Sequence, residues 1–210
     1  MDHIEYGSKS KNTDIVLIQP VNEFELRGIE NEISIIRSLS SCDFSLIAVK
    51  IEDWNRELSP WKAPAIFGND DFGDGANETL SQILEHCRDR DKTYYLGGYS
   101  LAGLFALWAV YQTDIFSGVA AASPSVWFPG FDEYMKNGDI KTGMVYLSLG
   151  DKEEKVKNPV MALVGERIRG VAACLEKNGT DCILEWNQGN HFKEPDVRMA
   201  KAFAWLLNKR

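Results

Sequence analysis

Histidine is scarce in this chain: His3, His86 and His191 are the only three in 210 residues. The four cysteines, Cys42, Cys87, Cys174 and Cys182, are scattered, with no C-x-x-C pair. So few histidines, with no cluster of them with cysteines, give no reason to expect a zinc site. The leader "MDHIEYGSKSKNTD" lacks the apolar stretch of a secretory signal. With scattered thiols, that points to a cytoplasmic protein with reduced cysteines. The Asn-x-Thr triplets at Asn77 and Asn178 would then meet no glycosylation enzyme. No apolar run approaches the roughly 18 residues that a membrane helix needs. Basic charge is also in deficit, 23 Lys and Arg against 31 Asp and Glu, a net charge of −8. Nucleic acid and anionic membrane surfaces repel such a chain, so neither is an expected partner. Repeats, low-complexity tracts and linkers are missing as well, which leaves one domain over residues 1–210.

What is present is a regular alternation of apolar runs and helical patterns. "TDIVLIQPV" (Thr13–Val21), "FSLIAVKI" (Phe44–Ile51), "TYYLGGY", "FSGVAAAS", "MVYLSLG" and "DCILEWNQG" read as strands. Between them, Ile29, Ile33, Ile36 and Leu39 recur at helical spacing. "NETLSQILEHCRDR" reads as a helix capped by Asn77, and "LAGLFALWAVYQ" as a buried one. Gly179 suits the end of the helix before the sixth strand, and Pro195 the first turn of the last. Strands separated by helices predict a three-layer α/β/α sandwich with a mostly parallel sheet of about six strands. In such sheets function gathers in loops at the carboxyl ends of the strands.

One of those loops is "GGYSLAG". Aligned on Gly98 it reads Gly-Tyr-Ser-Leu-Ala-Gly. A dinucleotide fingerprint needs glycine where Ser100 stands and an acid at the end of the next strand, which here ends "VAAAS". A P-loop needs a lysine that is not there. A nucleophile elbow fits better. It strains the serine backbone and brings the residues two before and two after together, so both must be small. Gly98 and Ala102 meet that demand, although the usual pattern has glycine at the second position. The N–H of Leu101, at the helix N-terminus, is the expected oxyanion donor. A plain tight turn with a hydroxyl cap remains the bland alternative, and partner residues decide between them.

Serine needs a base. His3 lies in the polar leader, and His86 lies within a helical pattern as a surface or boundary residue. His191, in "WNQGNHFKEPD" between the last strand and the last helix, is the one histidine in a carboxyl-end loop. The loop after the fifth strand, "SLGDKEE", offers a carboxylate to orient it. Glu153 is favoured, with Asp151 the main rival and Glu154 the weaker one. The order Ser, acid, His suits this sheet topology.

These residues resemble the α/β-hydrolase superfamily. Within it, "GGYSLAGLFALWA", "FSGVAAASPSVWF", "SLGDKEE" and "GNHF" are similar to the esterase group that includes esterase D and the ferric-siderophore esterases. The resemblance implies a compact α/β-hydrolase fold and a cofactor-free serine esterase with Ser100, Glu153 and His191 as its triad. It departs from the pattern twice. The leading antiparallel strands are absent or reduced, and the oxyanion loop "QPVNEFEL" has no glycine. The second oxyanion donor is expected at the Val21 or Asn22 N–H, because Pro20 has none.

Trp54, Trp61, Phe67, Trp127 and Phe128 lie in loops leaving strand ends, where aromatics either line a pocket or pack loops onto the sheet. Trp54, Trp61 and Trp127 are the pocket candidates. "NDDFGDG" lacks the calcium-loop spacing and its closing glutamate, so no metal is expected. The expected partner is a small-molecule ester, and a homo-oligomer is compatible with the sequence. A thioesterase, acyltransferase or peptidase on the same triad, or a non-catalytic binding protein of the same fold, is the alternative.

Overall fold

The computed structural model describes residues 2–8 and 13–209. Residues 1 and 9–12 of the polar leader, and residue 210, lie outside the described ones. The elements in chain order are β1 (His3–Tyr6), β2 (Ile15–Val21), α1 (Glu23–Leu26), α2 (Ile29–Leu39), β3 (Ser45–Lys50) and α3 (Trp54–Glu57). Then come α4 (Ala76–Leu84), β4 (Thr93–Tyr99), α5 (Leu101–Gln112), β5 (Phe116–Ala122) and α6 (Phe131–Asn137). Last are β6 (Met144–Gly150), α7 (Val164–Lys177), β7 (Asp181–Asn187) and α8 (Pro195–Asn208).

Seven strands form one sheet in the order β1-β3-β2-β4-β5-β6-β7. Every pairing is parallel except β1 with β3. The expected six strands are present, and β1 is the one the sequence pattern did not announce. It is a single leading antiparallel strand, where such strands were expected to be absent or reduced.

Apolar side chains divide between the two sheet faces. One core gathers α4, α5, α6 and α7 over Ile18, Val49, Leu96 and Leu147. The other gathers α2 and α8 over Leu17, Ala48, Tyr95 and Tyr146. Helix α5 is buried from Leu101 to Tyr111, as an all-apolar helix must be. Pro20 stands inside the wholly buried β2, an unusual position for a residue without an N–H. The β2–β4 ladder ends at Ile18, and Val21 offers its carbonyl to Ile51 on the β3 side. Pro20 therefore faces β4 beyond the last rung, where no donor is needed.

The helix before β4 differs from its sequence reading. It starts at Ala76 with Gly75 as N-cap, not at Asn77, and gives way after Leu84 to a 3-10 turn, Glu85–Cys87. Gly179 has φ +81°, which suits a glycine just past the α7 cap at Asn178.

The strand order fixes where a ligand goes. From β2 the chain moves outward to β3 and then crosses back to β4 on the other side. The carboxyl ends of β2 and β4 therefore flank a topological switch point, the usual crevice of an open parallel sheet.

Candidate active site

Ser100 stands at that crevice, between the last residue of β4 and the first of α5. Its backbone is strained, at φ 57° and ψ −120°. Packing enforces the strain. A Cβ on Gly98 would lie 2.4 Å from the Ala102 carbonyl carbon and 2.7 Å from its Cβ. The two flanking positions therefore do meet, and alanine at 102 is tolerated because glycine at 98 gives way. Ser100 N–H donates to the Ala122 carbonyl and its own carbonyl accepts from Ser125 N–H, which ties the turn to the end of β5.

The hydroxyl points at His191. Ser100 Oγ lies 3.0 Å from His191 Nε2, and His191 Nδ1 lies 2.7 Å from Glu153 Oε2. The second pairing needs Nδ1–H as donor, which leaves Nε2 free to accept from the serine. Ser125 Oγ is 3.4 Å from Ser100 Oγ.

The three acids of the β6 loop take different partners. Glu153 reaches His191 and is 5 % exposed. Asp151 accepts the Gly189 N–H at 2.8 Å and so braces the histidine loop from behind. Glu154 pairs with Arg169 at the surface.

A fourth residue was not anticipated. Arg198 on α8 is 2 % exposed. Its Nη1 donates to Glu153 Oε1 at 2.8 Å, to Ser123 Oγ at 2.9 Å and to Tyr99 Oη at 3.1 Å. Its Nη2 donates to the Asn190 carbonyl. Tyr99 Oη in turn donates to the His191 carbonyl at 2.7 Å. The signal was in the sequence: Arg198, Ala202 and Leu206 share helical spacing, so an arginine stands on the buried face of α8.

Glu153 Oε1 also accepts from Ser123 Oγ and from Gly150 N–H, each at 2.7 Å. Burial pushes the Glu153 pKa up, but the bonds from His191, Ser123 and Gly150 outweigh it and hold the group below the ordinary carboxylate value. The magnitudes agree. Burying an ion costs several kcal/mol, and four charge-assisted bonds at about 1.5–3 kcal/mol each offset that. The three non-glycine residues with positive φ among the described residues are Ser100, Ser123 and Glu194. All three belong to this cluster or border it, the pattern expected where strain serves a site.

A cleft of about 440 Å³ opens at Ser100 and His191. Trp54, Phe67 and Trp127 line it, joined by Phe24, Met161 and Phe192. Trp61 does not. Its indole N–H donates to the Pro129 carbonyl and its ring packs on Phe128 and Tyr134, so it fastens the β5–α6 excursion instead. Phe128 is likewise buried in the core. At the β2 exit the cleft is lined by Asn22 and not by Val21, whose side chain is buried under α2 and α8. Leu101 N–H belongs to the first turn of α5, where no intrahelical acceptor is available.

Asn22 caps α1 in a reciprocal box. Its side chain accepts from Phe24 and Glu25 N–H, and Glu25 Oε2 accepts its N–H at 3.1 Å. Burial pushes the Glu25 carboxyl up to about 8, with the Asn22 N–H opposing. Because the folded value lies above the unfolded one, the contribution to stability is full below about pH 4.3. It is lost as pH rises through the folded value. Gln at this position keeps the box and carries no charge. Glu25→Gln is therefore expected to raise Tm relative to wild type by at least about 2 °C more at pH 9 than at pH 5. Equal differences at both pH values in a thermal scan would contradict this. The effect is modest because the residue keeps some solvent contact.

No family model and no curated protein matches this sequence. Its structure does have neighbours. It is similar to an IroE-like serine hydrolase from Shewanella oneidensis, with TM-score 0.79 and 16 % identity over 98 % of this chain and 75 % of that one. It is similar to the siderophore hydrolase EstA from Aspergillus nidulans, with TM-score 0.72 and 18 % identity over 96 % and 84 % of the two chains. A Bacillus cereus carboxylesterase matches over 99 % of this chain and 94 % of its own, with TM-score 0.62 and 16 % identity. Such identities carry the fold alone. With the sheet order and the helix layers already described, they establish that this chain has the α/β-hydrolase fold.

Proposed function

We propose that the protein is a serine hydrolase that cleaves carboxylic esters of uncharged, apolar or aromatic character through an acyl-enzyme. The observation that carries this reading is the hydrogen-bonded line from strained Ser100 through His191 to buried Glu153. Ser100 Oγ attacks the ester carbonyl while His191 Nε2 takes its proton. The imidazolium is stabilised by Glu153, which stays ionised. The tetrahedral oxyanion is held by Leu101 N–H; at the β2 exit Asn22 faces the cleft with its own N–H engaged by Glu25 Oε2. His191 then protonates the leaving alcohol. Water, deprotonated by the same histidine, attacks the acyl-enzyme and frees Ser100. The chemistry needs no cofactor.

The substrate's character follows from the cleft wall. Aromatic and aliphatic side chains dominate it, and among the described residues no Lys or Arg lines it. Glu153 there stays ionised and disfavours a second negative charge. A p-nitrophenyl ester series tests this. Butyrate and benzoate esters are expected to be turned over with kcat/KM at least about tenfold above a succinate monoester, whose free carboxylate must be buried without a partner. Equal or preferred turnover of the succinate ester would overturn the assignment of substrate class. We also place the protein in the cytoplasm, on its four unpaired cysteines.

A further inference from the structure

Strand β1 lies at the edge of the sheet, and its register sorts its side chains. His3 stands opposite Val49, and Glu5 opposite Ile47. Directly opposed residues project to the same face. Val49 and Ile47 belong to the core beneath α4, together with Leu80, Ile83 and Cys87. His3 and Glu5 therefore project toward the segment where α4 ends. There the chain tightens into the Glu85–Cys87 turn, which carries Cys87 into the core and turns half-buried His86 toward β1.

The three side chains meet. The rings of His3 and His86 are 4.5 Å apart at their centroids, edge to face. His3 Nε2 is 3.4 Å from Glu5 Oε1. One ligating atom from each of the three residues lies within 4.8 Å of the other two. Ligands bound tetrahedrally at zinc distances sit roughly 3.3 Å from each other. Partly exposed side chains close that gap by small rotations.

We propose that His3, Glu5 and His86 form a binding site for a divalent transition-metal ion of the zinc class, which clips β1 to the end of α4. Two imidazoles and one carboxylate form a borderline donor set that suits zinc. The same set is poor for magnesium or calcium, which require oxygen cages. A water completes four-coordination at the open side. The ion joins two segments more than 80 residues apart in sequence, so it stabilises the native chain by mass action. None of the three ligands lines the cleft at Ser100, and ester turnover is expected to be unaffected by them.

The test is a zinc titration of the full chain without an affinity tag, followed by calorimetry and thermal scanning, with magnesium in parallel. One zinc ion per chain is expected. A free zinc concentration about 100-fold above Kd is expected to raise Tm by roughly 5–10 °C, with no rise in magnesium. Even outer-sphere partners of a metal typically carry 10- to 100-fold in affinity. His3→Ala and His86→Ala are therefore each expected to weaken binding at least about tenfold. His191→Ala is expected to bind as wild type does, which separates this site from capture at the catalytic cleft. Overturning results are a wild-type chain that binds no zinc saturably, both alanine variants retaining its affinity, or His191→Ala abolishing it.

Discussion

Ser100→Ala is expected to lower kcat for p-nitrophenyl butyrate by about 10⁴-fold or more while leaving Tm within a few degrees of wild type. The size follows from the geometry. The hydroxyl is the only group on the line from His191 that is positioned to become a nucleophile, and its partner hydroxyl, Ser125, has no imidazole contact among the described residues. The same logic ranks the acids. Glu153→Gln is expected to cost about 10³- to 10⁴-fold in kcat, because an amide cannot hold the Nδ1–H tautomer or balance an imidazolium. Asp151→Asn keeps the carbonyl that accepts Gly189 N–H, and Glu154→Gln alters a surface pair, so each is expected to cost less than about tenfold. Three small losses would mean a Ser–His dyad, and retained turnover in Ser100→Ala would remove the mechanism altogether.

Arg198→Met is expected to be the most destabilising single change near the cleft, by about 3–5 kcal/mol. For a chain of this size that lowers Tm by roughly 6–20 °C. The substitution preserves bulk but leaves Glu153 buried without the guanidinium, and takes a donor from Tyr99, Ser123 and the Asn190 carbonyl together. Arg198 touches no reacting atom, so it is a positioning residue, and stability alone would not show that. Its second readout is the pH–rate profile. Removing a positive charge beside the coupled His191–Glu153 pair favours protonation of the pair, so the acid limb of kcat/KM is expected to move to higher pH. Arg198→Lys keeps the charge and is expected to recover most of the limb but not all of the stability, since an ammonium cannot span the same acceptors. An unmoved acid limb in both variants would make Arg198 a packing residue only.

Local demands were the legible part of this fold. From Thr93 to Gln112 the elements coincide with their sequence reading, because a buried strand, a tight turn and an all-apolar helix each have a local signature. Ser100, Glu153 and His191 were named from loop position, and they meet in space. What the sequence hid depends on distant contacts. The four residues of β1 alternate too briefly to announce a strand, and only pairing with β3 makes them one. The cap of α4 fell at Gly75, where the backbone packs against Arg56 and leaves no room for a side chain, and a capping preference could not reveal that. Trp61 and Trp54 read alike as loop aromatics, yet one closes on the Pro129 carbonyl and the other opens on the cleft. His3 and His86 looked isolated because 82 residues separate them, and sheet register brings them together.

The central claim is that Ser100 is an activated nucleophile. A fluorophosphonate reagent followed by intact mass and peptide mapping tests it directly. The account predicts one adduct per wild-type chain, on Ser100, none on folded Ser100→Ala, and labelling of His191→Ala slower by orders of magnitude. A folded wild-type chain that stays unlabelled, or an adduct on any other residue, would contradict it.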